Sequence, residues 1–212
     1  MIHAYDKIYL EKAKTSLGRM TDFIVYDLEQ DIELFFEIFA KSNVAERFEN
    51  GDSGVIAGKS GVELAYEVLE EAGKNTERIT PRYTANRSEE YWTGYVLAHY
   101  QWEKGVSFEE ILRYIPIQKI KAMYSPYHEM DIRQFVDKMD ELYQEAKPDT
   151  NLKMQRIRAG YSQKELADIS GVPVRTIQQY EQRRKNINKA QVEYIFMLAQ
   201  ALCCEPKDLL ER

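Results

Sequence analysis

Side chains that can contact nucleic-acid bases are concentrated towards the C-terminal end of the chain. Arg175 can donate two hydrogen bonds to guanine, Gln179 can form two with adenine, and Val174 can contact the methyl group of thymine. Three basic residues at positions 183–185 follow closely, and such positive charge binds the phosphate backbone without preference for sequence. This segment therefore contains residue types that can contact nucleic acid, provided that the fold presents them on one surface.

The distribution of charge along the chain agrees with this interpretation. The 212 residues have a formal net charge of −6. Residues 1–148 have a net charge of −9 and residues 149–212 one of +3, and the stretch 153–189 alone has nine basic and three acidic side chains. This excludes a protein that coats nucleic acid along its whole length, and it confines positive charge to the part with the candidate contacts.

Length and composition limit the remaining classes. The chain is long enough for two modest domains, and its 44% of hydrophobic residues suffices for packed cores. The two cysteines are adjacent, at Cys203 and Cys204, and no spacing is typical of zinc ligands. We therefore expect a reduced, cytoplasmic protein without a metal or cofactor. No apolar run is long enough to predict a membrane span, and the N-terminus does not resemble a signal peptide.

Apolar residues recur with helical spacing along most of the chain, and no segment predicts a convincing strand. Helical stripes are formed by Ile8, Ala13, Leu17 and Met20, and then by Phe23, Ile24, Leu28, Ile32, Phe35, Phe36 and Phe39. Ser-x-x-Glu sequences at 60–63 and 107–110 predict capping boxes, Gly73 is placed to end one helix, and Asp131 can cap a later one. The polar residues 74–89 predict a loop. The sequence thus predicts an acidic, all-helical domain over residues 1–147 that binds a partner or ligand.

The C-terminal stretch has the signals of several short helices. A helix that contains Leu152 and Ile157 ends at Gly160, and a third capping box at 162–165 opens the next helix. Gly171 ends that helix in a tight turn, and a helix over residues 174–182 follows with Ile177 directed inwards. A fourth, amphipathic helix contains Val192, Ile195, Phe196, Leu198, Ala199 and Leu202, and a short fifth helix covers residues 206–210. Residues 147–150 are the linker candidate, so the domain is predicted over residues 150–212.

This stretch resembles the Cro/repressor (Xre-like) helix-turn-helix family. The residues that carry the resemblance are Leu152, Arg156, Gly160, Ser162, Gln163, Leu166, Ala167, Gly171, Val172, Thr176, Ile177, Tyr180, Glu181, Asp208, Leu209 and Leu210. The resemblance implies a five-helix, phage-repressor-like fold whose second motif helix enters the major groove of double-stranded DNA. It also implies a mostly buried ion pair between Arg156 and Glu181 that ties the first helix to the third, where the alternative is two unpaired surface charges.

Docking of this kind defines a set of candidate contacts. The start of the recognition helix would face base edges, and Gln163, in the first turn of the preceding helix, would lie beside a phosphate. The candidate DNA-binding residues are Gln163, Val174, Arg175, Thr176, Gln179, Arg183, Arg184 and Lys185. The family usually has glycine at the position of Arg183, and a side chain in left-handed geometry costs about 1 kcal/mol. Either the turn differs here or a phosphate contact offsets the strain; for the basic run, an ordinary solvated surface is the alternative.

Two other patterns could support chemistry, and both have simpler interpretations. Residues 53–60 nearly match a phosphate-binding loop, but Ser53 replaces its first glycine and no strand precedes it, so a helix cap at Ser60 is favoured. An aromatic stripe on one predicted helix suits a core better than a pocket; its members are Tyr91, Trp92, Tyr95, His99 and Trp102. His3, His99 and His128 are far apart and lack a credible nucleophile or second ligand, so no catalytic site is expected.

The sequence therefore predicts a transcriptional regulator, not an enzyme. We expect a repressor that binds a palindromic operator as a homodimer, because one such domain offers few base contacts. The alternative is the antitoxin of a toxin–antitoxin pair, in which the acidic N-terminal domain masks a basic toxin and the C-terminal domain autoregulates the operon. Residues 1–145 resemble a helical module of Gram-positive bacteria found beside small toxin-like genes. A third class, a sensor or enzyme built on residues 91–102, requires a deep polar pocket around Tyr95 and His99.

Overall fold

The computed structural model describes residues 3–74, 76–82 and 87–211, which contain helices and no strand. The predicted all-α fold class is confirmed. The chain divides into two compact units, Met1–Ala146 and Lys147–Arg212. The linker candidate at 147–150 falls at the start of the second unit, where the Thr150 hydroxyl accepts from the Lys153 backbone N–H and caps the first helix of that unit.

The described part of the N-terminal unit contains ten α-helices. Their bounds are α1 Leu10–Asp22, α2 Ile32–Phe39, α3 Asn43–Glu49, α4 Ser53–Ile56, α5 Gly61–Glu71, α6 Glu89–Lys104, α7 Phe108–Tyr114, α8 Ile117–Lys121, α9 Tyr124–Tyr127 and α10 Ile132–Ala146. A 3-10 turn, Lys7–Tyr9, precedes α1, and a π-helical turn, Phe23–Asp27, continues it.

Helix α1 packs closely against α5 and α6 because glycine stands at both contacts. A Cβ atom at Gly94 would lie 2.5 Å from the Leu17 carbonyl oxygen, and one at Gly61 would overlap the carbonyl oxygen of Ser16. Around this three-helix contact the core is rich in phenylalanine, with Phe23, Phe35, Phe36, Phe39, Phe48, Phe108 and Phe135 almost wholly buried. Each such ring contributes about 1.5–3 kcal/mol by burial, so aromatic packing supports this unit.

Most of the local signals in the N-terminal half act as predicted. Ser60 and Glu63 form a reciprocal capping box at the start of α5, and Gly73 follows that helix with a φ of 70°. At the start of α7 the Ser107 hydroxyl accepts from the Glu110 backbone N–H, which is one half of the predicted capping box, while the Glu110 carboxylate accepts from the Tyr143 hydroxyl. Asp131 accepts from the Arg133 N–H ahead of α10. The placement of Ile8 in a buried helical stripe is wrong: it lies in the 3-10 turn and is 78% exposed, because the core begins only at Leu10.

Residues 76–82, 87 and 88 have no regular secondary structure, while positions 75 and 83–86 of the predicted loop lie outside the described residues. An ion-pair network at the end of α1 and in the π-helical turn after it holds this segment at Arg82 and Ser88. Arg19 bridges Asp22 and Asp27, with N–O distances of 2.5 and 3.2 Å. The Ser88 hydroxyl donates to Asp22 (2.6 Å), and the Arg82 backbone N–H donates to Asp27 (2.6 Å). The segment is therefore attached to α1 and to the π-helical turn that continues it by charge-assisted hydrogen bonds.

The C-terminal unit contains α11 Asn151–Arg158, α12 Gln163–Ser170, α13 Val174–Glu181 and α14 Val192–Ala201, with 3-10 helices Ile187–Lys189 and Pro206–Leu209. Its core includes Leu152, Leu166, Val172, Ile177, Leu198 and Leu209. The apolar stripe of α14 is only partly buried: Val192 is 69% and Phe196 60% exposed. Both lie at the edge of the face that Ile195, Leu198 and Ala199 bury, so the small core leaves them uncovered.

Candidate nucleic-acid interface

The turn between α12 and α13 is built from strong local signals. Ser162 and Glu165 form a reciprocal capping box, with the Ser162 backbone N–H donating to Glu165 over 2.7 Å. That bond, supported by one from the Ser162 side chain, lowers the pKa of Glu165. Gly171 has a φ of 73° and donates its N–H to the Ala167 carbonyl (2.8 Å), and Pro173 precedes α13. The result is a tight helix-turn-helix corner.

Helix α13, the recognition helix, packs against the domain with one face and exposes the other face to solvent. Ile177, Tyr180 and Glu181 are buried, whereas Val174 and Arg175 at its start are exposed. Thr176 and Gln179 are half-buried. In the described part of the chain, the Arg175 guanidinium forms no hydrogen bond or ion pair, so all of its donors face solvent.

A buried ion pair joins α11 to α13. Arg156 donates to both carboxylate oxygens of Glu181, over 2.6 and 2.9 Å, and its third nitrogen donates to the Tyr161 carbonyl (2.7 Å). The side chains are only 11% and 2% exposed. The hydrogen bond to Glu181 raises the pKa of Arg156. These two residues thus hold the recognition helix against the first helix of the unit.

Glu181 also positions Gln163. The Gln163 side-chain amide donates to Glu181 over 2.7 Å, so one of its two N–H groups is used inside the protein. The second amide hydrogen and the backbone N–H at the start of α12 are the groups that suit a phosphate. The ion pair therefore orients a candidate phosphate contact as well as the recognition helix.

Arg183 has a role that its sequence position did not indicate. Its φ is 53°, so this arginine adopts the left-handed conformation that the family usually gives to glycine. Its guanidinium pairs with Glu211 over 3.1 Å, and Glu211 also accepts from the Asn151 backbone N–H (2.8 Å). Asn188 forms two further hydrogen bonds with the backbone of Glu211. Arg183 therefore ties the end of α13 to the C-terminal segment, and a phosphate would have to share or displace this pair.

Arg184 and Lys185 differ from Arg183 because their side chains are exposed and form no pair within the described residues. Sequence reasoning did not identify Glu211, Asn151 and Asn188, whose contacts hold the Arg183 side chain within the domain while Arg184 and Lys185 stay exposed. No local pattern marks them, since their contacts join positions between 23 and 60 residues apart.

The comparison with known families agrees with this geometry. Residues 152–209 match the family model described as helix-turn-helix, and the rest of the chain lies outside the match. The C-terminal unit is therefore a DNA-binding helix-turn-helix domain, of the Cro/repressor (Xre-like) type. No curated protein and no solved structure matches the chain at a significant level.

The other candidate sites have structural roles. Ser53–Ile56 forms helix α4 instead of a phosphate-binding loop, and Lys59 pairs with Glu67. His99 is buried, lies 3.3 Å from a Glu103 oxygen, and packs against Trp102. Burial lowers the pKa of His99. Over the described ranges, no three His, Cys, Asp or Glu side chains are grouped to hold a metal, and no helix there has the length and apolarity needed to cross a membrane.

Proposed function

We propose that this protein is a sequence-specific transcriptional repressor that binds a palindromic operator as a homodimer. The observation that carries the proposal is the exposed, unpaired Arg175 guanidinium at the start of a recognition helix fixed by Ile177 and Glu181. Arginine in this position suits bidentate contact with guanine, worth about 1–3 kcal/mol of discrimination against other bases. Val174 and Thr176 offer methyl groups to thymine, and Gln179 reaches adenine one turn later.

Affinity in this proposal comes from the phosphate backbone. Arg184 and Lys185 are exposed after α13, and Gln163 has free donors at the start of α12. Contacts of this kind fix the register of the domain on the duplex and weaken with salt.

A homodimer supplies a second recognition helix, which contacts the second half-site. One recognition helix reads few base pairs, and two-fold related helices about 34 Å apart read two half-sites on one face of the duplex. Val192 and Phe196, exposed on α14, offer apolar side chains for contact with a second copy. The proposed operator is therefore an inverted repeat with half-sites one helical turn apart.

The test is selection of binding sites from a random duplex library with the full-length protein, followed by fluorescence anisotropy. We expect one enriched inverted repeat, and Arg175→Ala with Gln179→Ala should abolish the preference for it while circular dichroism is unchanged. The matched control is Lys207→Ala with Gln200→Ala, two exposed positions of the same unit, which should bind as wild type. An absence of any enriched motif, or normal specificity in the first double variant, contradicts the proposal.

We further propose that the protein acts by binding and not by catalysis. Its buried histidine, His99, is engaged by Glu103 and Trp102, and the near-match to a phosphate-binding loop is taken up by helix α4 and a helix cap. A nucleotide hydrolysis assay with the full chain should give no turnover above background; activity that Lys59→Ala removes would contradict this.

A second candidate function, the antitoxin of a toxin–antitoxin pair, is favoured by a groove of the N-terminal unit whose lining has one carboxylate more than it has cations. The groove lies between α2 and the α7–α8 segment, has a volume of about 460 Å³, and contains Phe36, Leu112 and Ile117 among its lining residues. Glu33, Glu37 and Glu109 line it with Lys41 and Arg113. An apolar floor with a surplus of carboxylates suits a basic, amphipathic segment of a toxin.

A search for a short co-directional reading frame beside the gene, followed by co-expression with it, tests this second function. We expect that frame alone to arrest growth, and the full chain to restore growth and to co-purify with its product. Glu33→Lys with Glu37→Lys should weaken the complex, whereas Glu141→Lys with Glu145→Lys, an exposed pair at the same spacing on α10, should not. A neighbour without toxicity, or a complex indifferent to both pairs, excludes the antitoxin role of this groove.

A further inference from the structure

A second concavity of the N-terminal unit is lined mainly by aromatic rings. It lies between the first half of α6 and the segment from α9 to the start of α10, and its volume is about 320 Å³. The rings are those of Tyr91, Trp92, Tyr95, Tyr124, Tyr127 and Phe135. The volume is at the lower end of the range of about 300–1,000 Å³ that is typical of small-molecule sites. The pocket thus has room for a ligand of one or two fused rings.

The rings are held in place by one another. Trp92 packs edge-on against Tyr124 and Phe135, with centroid distances of 5.6 and 5.4 Å, and Tyr91 stacks with Tyr95 at 6.2 Å. Phe135 is buried, whereas Trp92, Tyr95 and Tyr124 are half-buried and keep part of their surface open. Rings fixed in this way lose little conformational entropy when a flat apolar group packs against them.

The charged side chain among the described residues that line the pocket is a cation, whereas the unit that contains the pocket has a net negative charge. Although residues 1–148 have a net charge of −9, no carboxylate is among the described residues that line the pocket. Besides the tyrosines, its ionisable lining residues are Arg87 and His128. The Arg87 guanidinium lies 4.9 Å from the centroid of the Tyr91 ring, and His128 stacks on Tyr124 at 4.1 Å. Aromatic faces attract organic cations, but here Arg87 already covers one face and repels a second cation.

We propose that this pocket binds a small, planar aromatic compound with an anionic group. The ring of the ligand packs against Trp92, and its anionic group lies beside Arg87. This site belongs to the N-terminal unit alone and is measured without DNA, so the proposal stands or fails independently of the DNA-binding function.

Isothermal titration calorimetry of the full chain with three matched probes tests the proposal. The probes are naphthalene-2-carboxylate, its neutral carboxamide, and 2-naphthyltrimethylammonium. We expect the carboxylate to bind at least fivefold more tightly than either of the others. Tighter binding of the cation, or no binding of any probe, overturns the proposal.

Variants of Arg87, which is exposed and so can be replaced with little risk to folding, test whether this residue causes the preference for the anionic probe. Arg87→Gln should bring the carboxylate and carboxamide to within twofold of each other, and Arg87→Glu should reverse the order of carboxylate and cation. The control is Arg133→Gln, an exposed arginine of α10 that does not line the pocket and should leave the preference intact. Trp92→Ala should weaken all three probes at least tenfold if circular dichroism shows it folded. An unchanged preference in both Arg87 variants contradicts the assignment.

Discussion

At the scale of single residues, Glu181 does more than close an ion pair. Its two oxygens accept hydrogen bonds from Arg156 twice and from Gln163 once, so one carboxylate joins helices α11, α12 and α13. A buried ion pair is a weak source of net stability, but the loss of one partner leaves an uncompensated charge. The pair is therefore better understood as a device that fixes the geometry of the recognition helix.

This view predicts a strongly non-additive double-mutant cycle. Arg156→Met and Glu181→Leu should each lower the free energy of unfolding by about 3–5 kcal/mol, because each leaves a buried charge without its partner, and the double variant should lose much less. Urea denaturation, followed through the unfolding transition of the C-terminal unit, measures the unfolding free energy of the two single variants and of the double variant. Lys153→Met, which removes the exposed pair with Asp149, is the control and should cost less than about 1 kcal/mol. Additive losses would contradict the prediction.

Two variants of Arg183 allow the energetic cost of its left-handed conformation to be measured. In Arg183→Ala the side-chain pair with Glu211 is lost and the positive φ is kept, whereas Arg183→Gly loses the same pair but relieves the backbone. We expect the glycine variant to be more stable than the alanine variant by about 1 kcal/mol in urea denaturation. Equal stability would mean that the turn is not held in left-handed geometry in solution.

At the scale of elements, the capping box of α12 gives a pH-dependent contribution. Hydrogen bonds from Ser162 lower the pKa of Glu165 in the folded state, so the stabilisation is complete above the pKa of the unfolded chain. It is lost as the pH falls through the lower, folded pKa. Glu165→Gln should therefore be less stable than wild type at neutral pH, and the two unfolding free energies should converge once the pH has fallen below that folded pKa.

Denaturation series at several pH values measure this difference. The control is Glu193→Gln, which removes a carboxylate from the first turn of α14, where no side chain caps the helix. A gap between wild type and Glu165→Gln that persists in acid would contradict the capping origin of the effect.

Signals that act within a few residues could be predicted from the sequence. The boxes at Ser60 and Ser162 and the turn at Gly171 depend only on neighbouring backbone atoms, so their patterns predicted helix boundaries well. The family resemblance added what spacing alone does not contain, the pairing of Arg156 with Glu181 across 25 positions.

Contacts between distant positions could not be predicted in this way. Glu211 lies 28 residues from Arg183, and nothing in the basic run distinguishes a residue held inside the domain from one open to phosphate. The aromatic stripe on α6 shows the same limit. Tyr91, His99 and Trp102 are buried as predicted, but Tyr91 also lines, with Trp92 and Tyr95, a pocket whose other wall comes from α9 and α10. Periodicity defines a face of a helix but not what packs on it.

At the scale of the whole molecule, charge is divided between the two units. An acidic unit tethered to a DNA-binding domain repels the phosphate backbone over distances comparable to the Debye length, about 10 Å at 0.1 M salt. Residues 147–212 alone should therefore bind non-specific duplex more tightly than the full chain at low salt, and the two affinities should converge as salt rises. Fluorescence anisotropy across a salt series measures both, after circular dichroism has shown that the fragment is helical. A difference that does not depend on salt would contradict an electrostatic origin.

Helix α6 contains both tryptophans of the chain, Trp92 at the aromatic pocket and Trp102, whose indole N–H donates to the Tyr5 carbonyl. The helix-turn-helix unit has tyrosines but no tryptophan. Tryptophan fluorescence therefore reports on the N-terminal unit only. A denaturation curve followed by tryptophan emission tracks the N-terminal unit, while a probe of total helix content tracks both, so the two curves superimpose only if the units unfold together.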